Sequence, residues 1–256
     1  MENSLQCELP PIVVCGAMDC ETALLKSELV IKNEIQRGNG TFTEGFMFGY
    51  PVVVVKTLVG MVNAAVATAV AANVYNPRCI IWQGTSGAHN PELHQGDMIL
   101  GSNIIENCGF FTVHRDEGGG LCQLEELIFQ GKEVWKDRKV KTVRTFHSDR
   151  ELMNIAVKVP YSAGCIKCGT ISSGDIWSRE IDRIRFYHNS LGSDCEEMEG
   201  FAAAMVCETF GIPLLVSRII SNSEYYPEET FSETLGTLCQ QYTKDVIEAI
   251  VKQNAK

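Results

Sequence analysis

The chain is short of positive charge. Its 22 Lys and Arg stand against 32 Asp and Glu, giving a formal net charge of −10 and a pI near 5.0, so the cationic footprint that holds phosphate backbones is missing. Nucleic acid and anionic membrane surfaces are thereby excluded as partners, whereas a neutral or cationic small molecule is not. Long apolar runs are also missing: the stretch from Pro51 to Ala72 is broken by Lys56 and Asn63, too early to span a bilayer. The opening MENSLQCELPP has no basic region followed by an apolar run, so a cytosolic, cytoplasmic protein without a signal peptide is expected. No segment is of low complexity or biased toward Pro, Ser or Gln, which argues against disorder. His89, His94, His114, His147 and His188 lack ligand spacing with Cys or carboxylates. No metal site and no organic cofactor are therefore expected, and His89 and His94 read as loop residues.

Cysteine, by contrast, is plentiful. The 11 cysteines run from Cys7 to Cys239 in an odd number and without repeated spacing, which suits free thiols in a reducing compartment rather than a disulfide framework. Cys165 and Cys168 in AGCIKCG form one CxxC with no second pair and no helix opening behind it. They read as two thiols near a strand rather than a redox or zinc motif.

Apolar residues make up 45% of the chain and charged residues 21%, the balance of a packed protein. A length of 256 residues fits one α/β globule, so residues 1–256 are read as a single domain. PIVVCG reads as a strand and a tight turn, followed by a helix that Asp19 caps and that turns Ala23, Leu24 and Leu25 inward. YPVVVVKTLVG is a second strand and NAAVATAVAANVY a helix of small residues. RCIIWQG is a strand breaking at GTSGAHN, and GDMILGSNIIE, CIKCGTISSG, CEEM and PLLVSRIIS supply four more. The tail from Pro227 to Lys252 reads as a helix with Leu235, Leu238, Tyr242, Val246 and Ile250 on one side. Strands alternating with helices predict an α/β fold whose mostly parallel sheet lies between helix layers. Residues 107–148, with DEGGGL and WKDRKVK, read as a long excursion, a lid or an oligomer contact.

Ligands of such folds sit at the carboxyl ends of strands. Five segments qualify: GAMDCE, GTSGAH, SSGDIW, EEMEG and RIISNSE. The stretch DCEEMEGFAAAMVCETFG, residues 194–211, sets Asp194, Glu196, Glu197 and Glu199 in front of an apolar helix. Favourable interaction with the helix dipole accounts for Asp194 and Glu196. Glu199 needs more, because a charged carboxylate between an apolar strand and an apolar helix requires partners; the vicinal hydroxyls of a ribose would serve. Taken alone, Glu21 reads as an exposed first-turn carboxylate and Trp177 as a core aromatic, while Arg218 within an apolar strand demands a carboxylate opposite it.

In their order, GAMDCE, GTSGA, SSGDIW, EEMEG and RIIS resemble the nucleoside phosphorylase/hydrolase superfamily, and most closely its methylthioadenosine/S-adenosylhomocysteine nucleosidase branch. The likeness runs from about residue 12 to residue 222 and is poor over 107–148. It implies a three-layer αβα sandwich with a central, mostly parallel mixed sheet, and an enzyme that cleaves the N-glycosidic bond of a purine nucleoside. By the resemblance Glu21 is the general base, with Thr85 and Arg218 positioning the attacking water and holding Glu21. Thr85, Ser86, Gly87, Glu197, Met198, Glu199 and Ser221 fall at substrate-binding positions, with Met198 and Glu199 on the ribose. Trp177 would stack on the purine, the Ser178 backbone would read the base edge, and Asn222 would face the leaving base. The family's phosphorolytic members carry a phosphate-binding arginine where this chain has Trp82, which favours water over phosphate as nucleophile. A homodimer is implied by the same analogy.

Asn222 departs from the pattern. Adenine-specific family members end RIIS with an Asp that protonates N7, which an asparagine cannot do. One orientation of its amide suits a 6-oxopurine, as in futalosine hydrolases, and the other a 6-aminopurine; both stand open, as does inosine as a substrate. A phosphorolytic enzyme and a storage or binding protein with a decayed site are the remaining alternatives, the last opposed by the joint presence of Glu21, Glu199 and Arg218.

Overall fold

The structure is a computed structural model that describes residues 9–136 and 138–253. Residues 1–8, which carry Cys7 and most of the opening segment read for a signal peptide, lie outside the described residues, as does Asp137 of WKDRKVK.

The chain opens with β1 (Ile12–Gly16), a 3₁₀ turn at Asp19–Glu21 and a short α1 (Ala23–Ser27). An antiparallel meander follows, formed by β2 (Val30–Arg37), β3 (Gly40–Met47) and β4 (Tyr50–Lys56). Then come α2 (Met61–Tyr75), β5 (Cys79–Ala88) and β6 (Met98–Glu106). The 107–148 excursion holds β7 (Phe110–Phe111), β8 (Ile128–Phe129), β9 (Lys132–Lys136), β10 (Lys139–Val143) and β11 (Thr145–Phe146). The remainder is α3 (Arg150–Ala156), β12 (Ile166–Ser173), α4 (Ile181–Leu191), β13 (Cys195–Glu197), α5 (Gly200–Phe210), β14 (Leu214–Asn222) and α6 (Thr234–Gln253).

Ten strands share one sheet among the described residues. Its pairings divide evenly, β1–β4, β1–β5, β12–β13, β6–β12 and β5–β14 being parallel. The pairs β6–β11, β5–β13, β6–β14, β2–β3 and β3–β4 are antiparallel. The α/β class stands, but the sheet is mixed rather than mostly parallel, because the tight turns at Gly38 (φ +59°) and Gly49 (φ +73°) leave no room for crossover helices between β2, β3 and β4. A further feature was not expected from the sequence: β14 pairs with both β5 and β6, closing β5, β14, β6, β12 and β13 into a five-stranded barrel. A register shift at Gly169/Thr170 in β12 supplies the kind of irregularity that bends a strand.

The valine run of β4 shows how the core is divided. Successive side chains of a strand point to opposite faces; Val53 and Val55 pack with Ala64, Ala67 and Ala71 of α2 and Phe201 and Ala204 of α5. Val52 and Val54 pack instead with Leu25 of α1, Leu152 of α3 and Val246, Ile247 and Ile250 of α6. A strand buried on both faces is a continuous apolar run, as β4 is.

Several local expectations need correction. Asp19 does not cap a helix: the 3₁₀ turn intervenes, and the Asp19 carboxylate pairs with Lys56 Nζ at 2.8 Å. β5 does not break at GTSGA but continues to Ala88, because β14 and β13 pair with that segment. The closing helix begins at Thr234 rather than Pro227, and Leu238 lies on its exposed side. The excursion forms two small antiparallel pairs, β7 with β8 and β9 with β10, and packs Val134 into the core beside α5. The described cysteines are all free, and Cys165 and Cys168 are exposed at the start of β12.

Candidate active site

Barrel closure, together with the pairing of β1 beside β5, brings the five strand-end segments to one cleft, which with its open mouth encloses about 860 Å³, a size suited to a small molecule. Glu21, Thr85, Ser86, Gly87, Trp177, Ser178, Glu197, Met198, Glu199, Ser221 and Asn222 all line it. Arg218 stands directly behind, joined to two of the lining carboxylates. No residue of the 107–148 excursion is among those lining this cleft, so the expected lid finds no support here.

Glu21 ends the 3₁₀ turn after β1 and is buried. Its Oε2 accepts from the amides of Ala17 (2.8 Å) and Met18 (3.2 Å), and its Oε1 from the amide (2.8 Å) and hydroxyl (2.9 Å) of Thr85. Four donors fix both oxygens, so the carboxylate is held without a direct bond from Arg218. Gly84 lets these groups approach: a Cβ there would meet the Arg218 guanidinium and come within 2.6 Å of Glu21 Oε1.

Arg218, in the middle of β14 and 1% exposed, meets the carboxylates that its burial demands. Its Nη2 donates to Glu197 Oε2 and, at 3.1 Å, to Glu199 Oε2. Burial opposes the guanidinium charge, but Glu197, Glu199 and Glu21 outweigh it and raise its pKa. Glu199 also accepts from the Gly60 amide at 2.9 Å. Burial raises the Glu199 carboxyl to about 7; Arg218 pulls it down, while Glu197 and Glu21 add to the rise. Glu197 accepts from the amides of Glu199 and Gly200 as well, so it satisfies free N–H groups at the start of α5.

The helix-dipole reading of Asp194 and Glu196 is overturned, because β13 runs to Glu197 and α5 starts only at Gly200. Asp194 binds Lys167 Nζ (2.7 Å), the Thr170 amide (2.9 Å) and Asn90 Nδ2 (3.1 Å). Burial pushes this carboxyl up, and those donors more than compensate, leaving its pKa low. Glu196 lines the cleft and accepts from the Ser178 amide (2.7 Å), the Ser178 hydroxyl (2.9 Å) and Asn107 Nδ2 (2.6 Å). The Ser178 N–H expected at the base edge is therefore engaged by Glu196. Burial raises the Glu196 carboxyl despite these donors. His89 is buried beside it and also lines the cleft. Burial, then the His188 charge, lowers its pKa to about 3, so the 3.6 Å approach of His89 Nε2 to Glu196 joins a neutral ring to a carboxyl and is no ion pair.

On the remaining wall, the Ser221 hydroxyl lies 3.0 Å from Asn222 Oδ1. Trp177 is not a core aromatic: it is 56% exposed and meets Phe231 edge-on at 5.7 Å. Trp82 has the opposite fate, fully buried in the core and absent from the cleft. Glu196, His89 and Phe231 were not foreseen as site residues. For Glu196 a signal existed, since it opens the EEMEG segment that was singled out at a strand end; Phe231 comes from an irregular loop with no pattern to mark it.

The model of the phosphorylase superfamily matches residues 11–252. The 5'-methylthioadenosine/S-adenosylhomocysteine nucleosidase of Staphylococcus haemolyticus is 28% identical, covering 94% of this chain and 99% of its own. Its counterpart from Halalkalibacterium halodurans is 30% identical over 82% of this chain and 84% of its own. Among solved structures, the nucleosidase of Colwellia psychrerythraea in complex with adenine has a TM-score of 0.76 at 21% identity, covering 94% of this chain and 96% of that one. The futalosine hydrolase of Helicobacter pylori has the same score and identity, covering 94% and 98%. At such identity the two structures speak for the fold alone, but the match over almost all of the sequence is decisive: the chain belongs to the phosphorylase superfamily.

Proposed function

We propose that this chain is a purine nucleoside N-ribosyl hydrolase, an enzyme that cleaves the N-glycosidic bond with water. One observation carries the reading: five carboxylates, Glu21, Glu196, Glu197, Glu199 and Glu224, line the cleft, with no Lys or Arg among the lining residues. As the bond from sugar to purine breaks, positive charge grows on the ribose, and preorganised carboxylates are worth most where water is excluded. A phosphate dianion would meet the opposite field. At an effective dielectric of 20 and a separation of 5 Å, each like-charge contact costs about 3 kcal/mol.

In this mechanism Glu21 takes a proton from the attacking water. The four donors on its oxygens keep it oriented, and general-base assistance adds about 10²- to 10⁴-fold. Glu199 accepts from the ribose hydroxyls while Arg218 anchors it together with Glu197, and Met198 supports the sugar. Trp177 covers the purine, and Ser221 orients Asn222 toward the leaving base, with Thr85, Ser86 and Gly87 forming the floor. The nucleosidase names of the relatives make methylthioadenosine and S-adenosylhomocysteine the first substrates to try.

The chain acts as one catalytic unit whose helices on both faces of the sheet correspond to the outer layers of an αβα sandwich. Its setting is the cytoplasm, which the free described cysteines support. It works as a homodimer, supported by the exposed Val62, Val66 and Val74 of α2. The test is release of free base from methylthioadenosine, S-adenosylhomocysteine, inosine and futalosine, with and without phosphate. Release at a rate independent of phosphate is expected. Ribose 1-phosphate formation would overturn the hydrolytic assignment, and four inert substrates at high enzyme concentration would overturn catalysis itself.

A further inference from the structure

Glu21 is held by more than the donors on its carboxylate. Two of those donors, the Ala17 and Met18 amides, belong to the same loop and travel with it, so they set the carboxylate against its own backbone rather than against the cleft. Helical support for that backbone is slight: the 3₁₀ turn has three residues and α1 has five, far fewer than a helix needs to stand alone.

Two glutamines supply what the turn lacks. In a continuous helix the Leu25 N–H would donate to the Glu21 carbonyl, four residues earlier. Here that ladder is interrupted where the 3₁₀ turn meets α1, and side-chain amides from two distant elements take up the separated groups. Gln240 of α6 accepts from the Leu25 N–H at Oε1 (3.1 Å) and donates from Nε2 to the Cys20 carbonyl (2.7 Å). Gln83 of β5 donates from Nε2 to the Glu21 carbonyl itself. Both glutamines are at most 1% exposed. Glycines give them access: a Cβ on Gly236 of α6 would strike the Cys20 carbonyl, and one on Gly16 of β1 would lie 2.9 Å from Gln83 Nε2.

Packing alone does not account for the pair. Gln83 Oε1 has no partner among the described protein groups, and an unmet buried acceptor costs about 1–3 kcal/mol, which an apolar side chain would not incur. What the amide adds is its bond to the Glu21 carbonyl. Neither glutamine is among the residues lining the cleft, so any effect on the reaction passes through the turn.

Resting on the hydrolase reading, we propose that Gln240 and Gln83 are positioning residues for Glu21, locking its turn from α6 and from β5 so that the carboxylate meets the attacking water at a fixed distance. A general base works only within hydrogen-bond reach of the proton it takes, and a displacement of about 1 Å can cost about 10²-fold.

Gln240→Met keeps the side-chain length and removes both hydrogen bonds. Single-turnover base release from the nucleoside that the wild type hydrolyses fastest should fall about tenfold to 10²-fold. Calorimetric affinity for the free base that this nucleoside releases should stay within about threefold of wild type, with unchanged stoichiometry. A double-mutant cycle with Glu21→Gln separates positioning from general disruption: with the general base already removed, Gln240→Met should change the residual rate by less than about threefold, whereas a merely structural role carries the same loss into both backgrounds. A wild-type rate in Gln240→Met, an equal loss in both backgrounds, or base binding lost in step with the rate would overturn the proposal. Should Gln240→Met fail to fold, Gln83→Met breaks the other tie and is read by the same cycle. A wild type that releases no base from any nucleoside would overturn the hydrolase reading and this inference with it; a wild type that turns over while both variants match it would overturn this inference alone.

Discussion

Arg218→Met removes a guanidinium while keeping most of the side-chain volume, and leaves Glu197 and Glu199 together without their cation. All three residues are at most 5% exposed, so water cannot replace it, and breaking a buried pair in this way costs about 3–5 kcal/mol, a large part of a typical total of about 5–15 kcal/mol. The loss should depend on pH, with a sign that follows from Glu199. Its folded-state pKa of about 7 lies above its ordinary 4.5, so the folded chain holds that proton more tightly than the unfolded chain does. The associated stability is fully present below 4.5 and is lost as pH rises through 7. Without Arg218, which pulls this value down, the folded pKa moves higher and the loss continues beyond pH 7. Each further unit of pKa adds about 1.4 kcal/mol, so the variant's deficit should be about 1–3 kcal/mol larger at pH 8.5 than at pH 6. Urea unfolding of both proteins at the two pH values measures it. A deficit independent of pH, or one below about 1 kcal/mol at pH 8.5, would refute the description of these residues as a mutually dependent buried cluster.

Glu21→Gln should lower single-turnover base release by at least about 10²-fold while leaving base binding in place. It should also cost about 1–3 kcal/mol in thermal or urea unfolding, because the new amide N–H must face a backbone donor of Ala17, Met18 or Thr85; unchanged turnover would remove Glu21 from the mechanism. The pH profile of kcat/KM should fall on the acid side with an inflection near 7, where Glu199 takes up its proton, and Glu199→Gln should lack that inflection. A wild-type profile flat from pH 8 to pH 5 would mean that the ribose does not depend on an ionised Glu199. Asn222→Asp introduces an acid beside N7, an interaction worth about 3–4 kcal/mol in comparable electrostatic contacts. Parallel assays of inosine and methylthioadenosine should show the ratio of 6-amino to 6-oxo turnover rising at least about tenfold, and an unchanged ratio would count against a base-facing Asn222.

The legible parts of the fold are those whose burial is complete. β4 and β14 are strands with buried faces on both sides, as is the first half of β6, so an apolar run bounded by Gly, Pro or Asn marks them without help from periodicity. β2 is the counterexample: its VIKNEIQR is largely exposed, offers no apolar face, and is held by pairing with β3, information that no local window contains. The barrel was hidden for a related reason, since β14 has a sequence suited to any buried strand, and only its simultaneous pairing with β5 and β6 closes the ring. Site positions were easier, because ligand sites of α/β folds gather at strand ends and the family motifs coincide with them. Asp194 and Glu196 were misjudged where one residue decides the matter: with α5 starting at Gly200, they belong to the preceding strand region and answer to side chains across the sheet.

Trp82 shows how sequence position and spatial position can part. An arginine at this place in phosphorolytic relatives suggested that its replacement decides the nucleophile. In this chain Trp82 is fully buried within the core, and its indole N–H has no partner among the described protein groups, so its side chain contributes nothing to the charge of the cleft. An arginine introduced there would have to be desolvated among Val13, Ile80 and Val216, at a cost of several kcal/mol for an unpaired ion, before it could serve phosphate. The preference for water therefore rests on the lining carboxylates. Arg218 is one cation facing Glu197, Glu199 and Glu21, too little positive charge on that wall to attract a dianion.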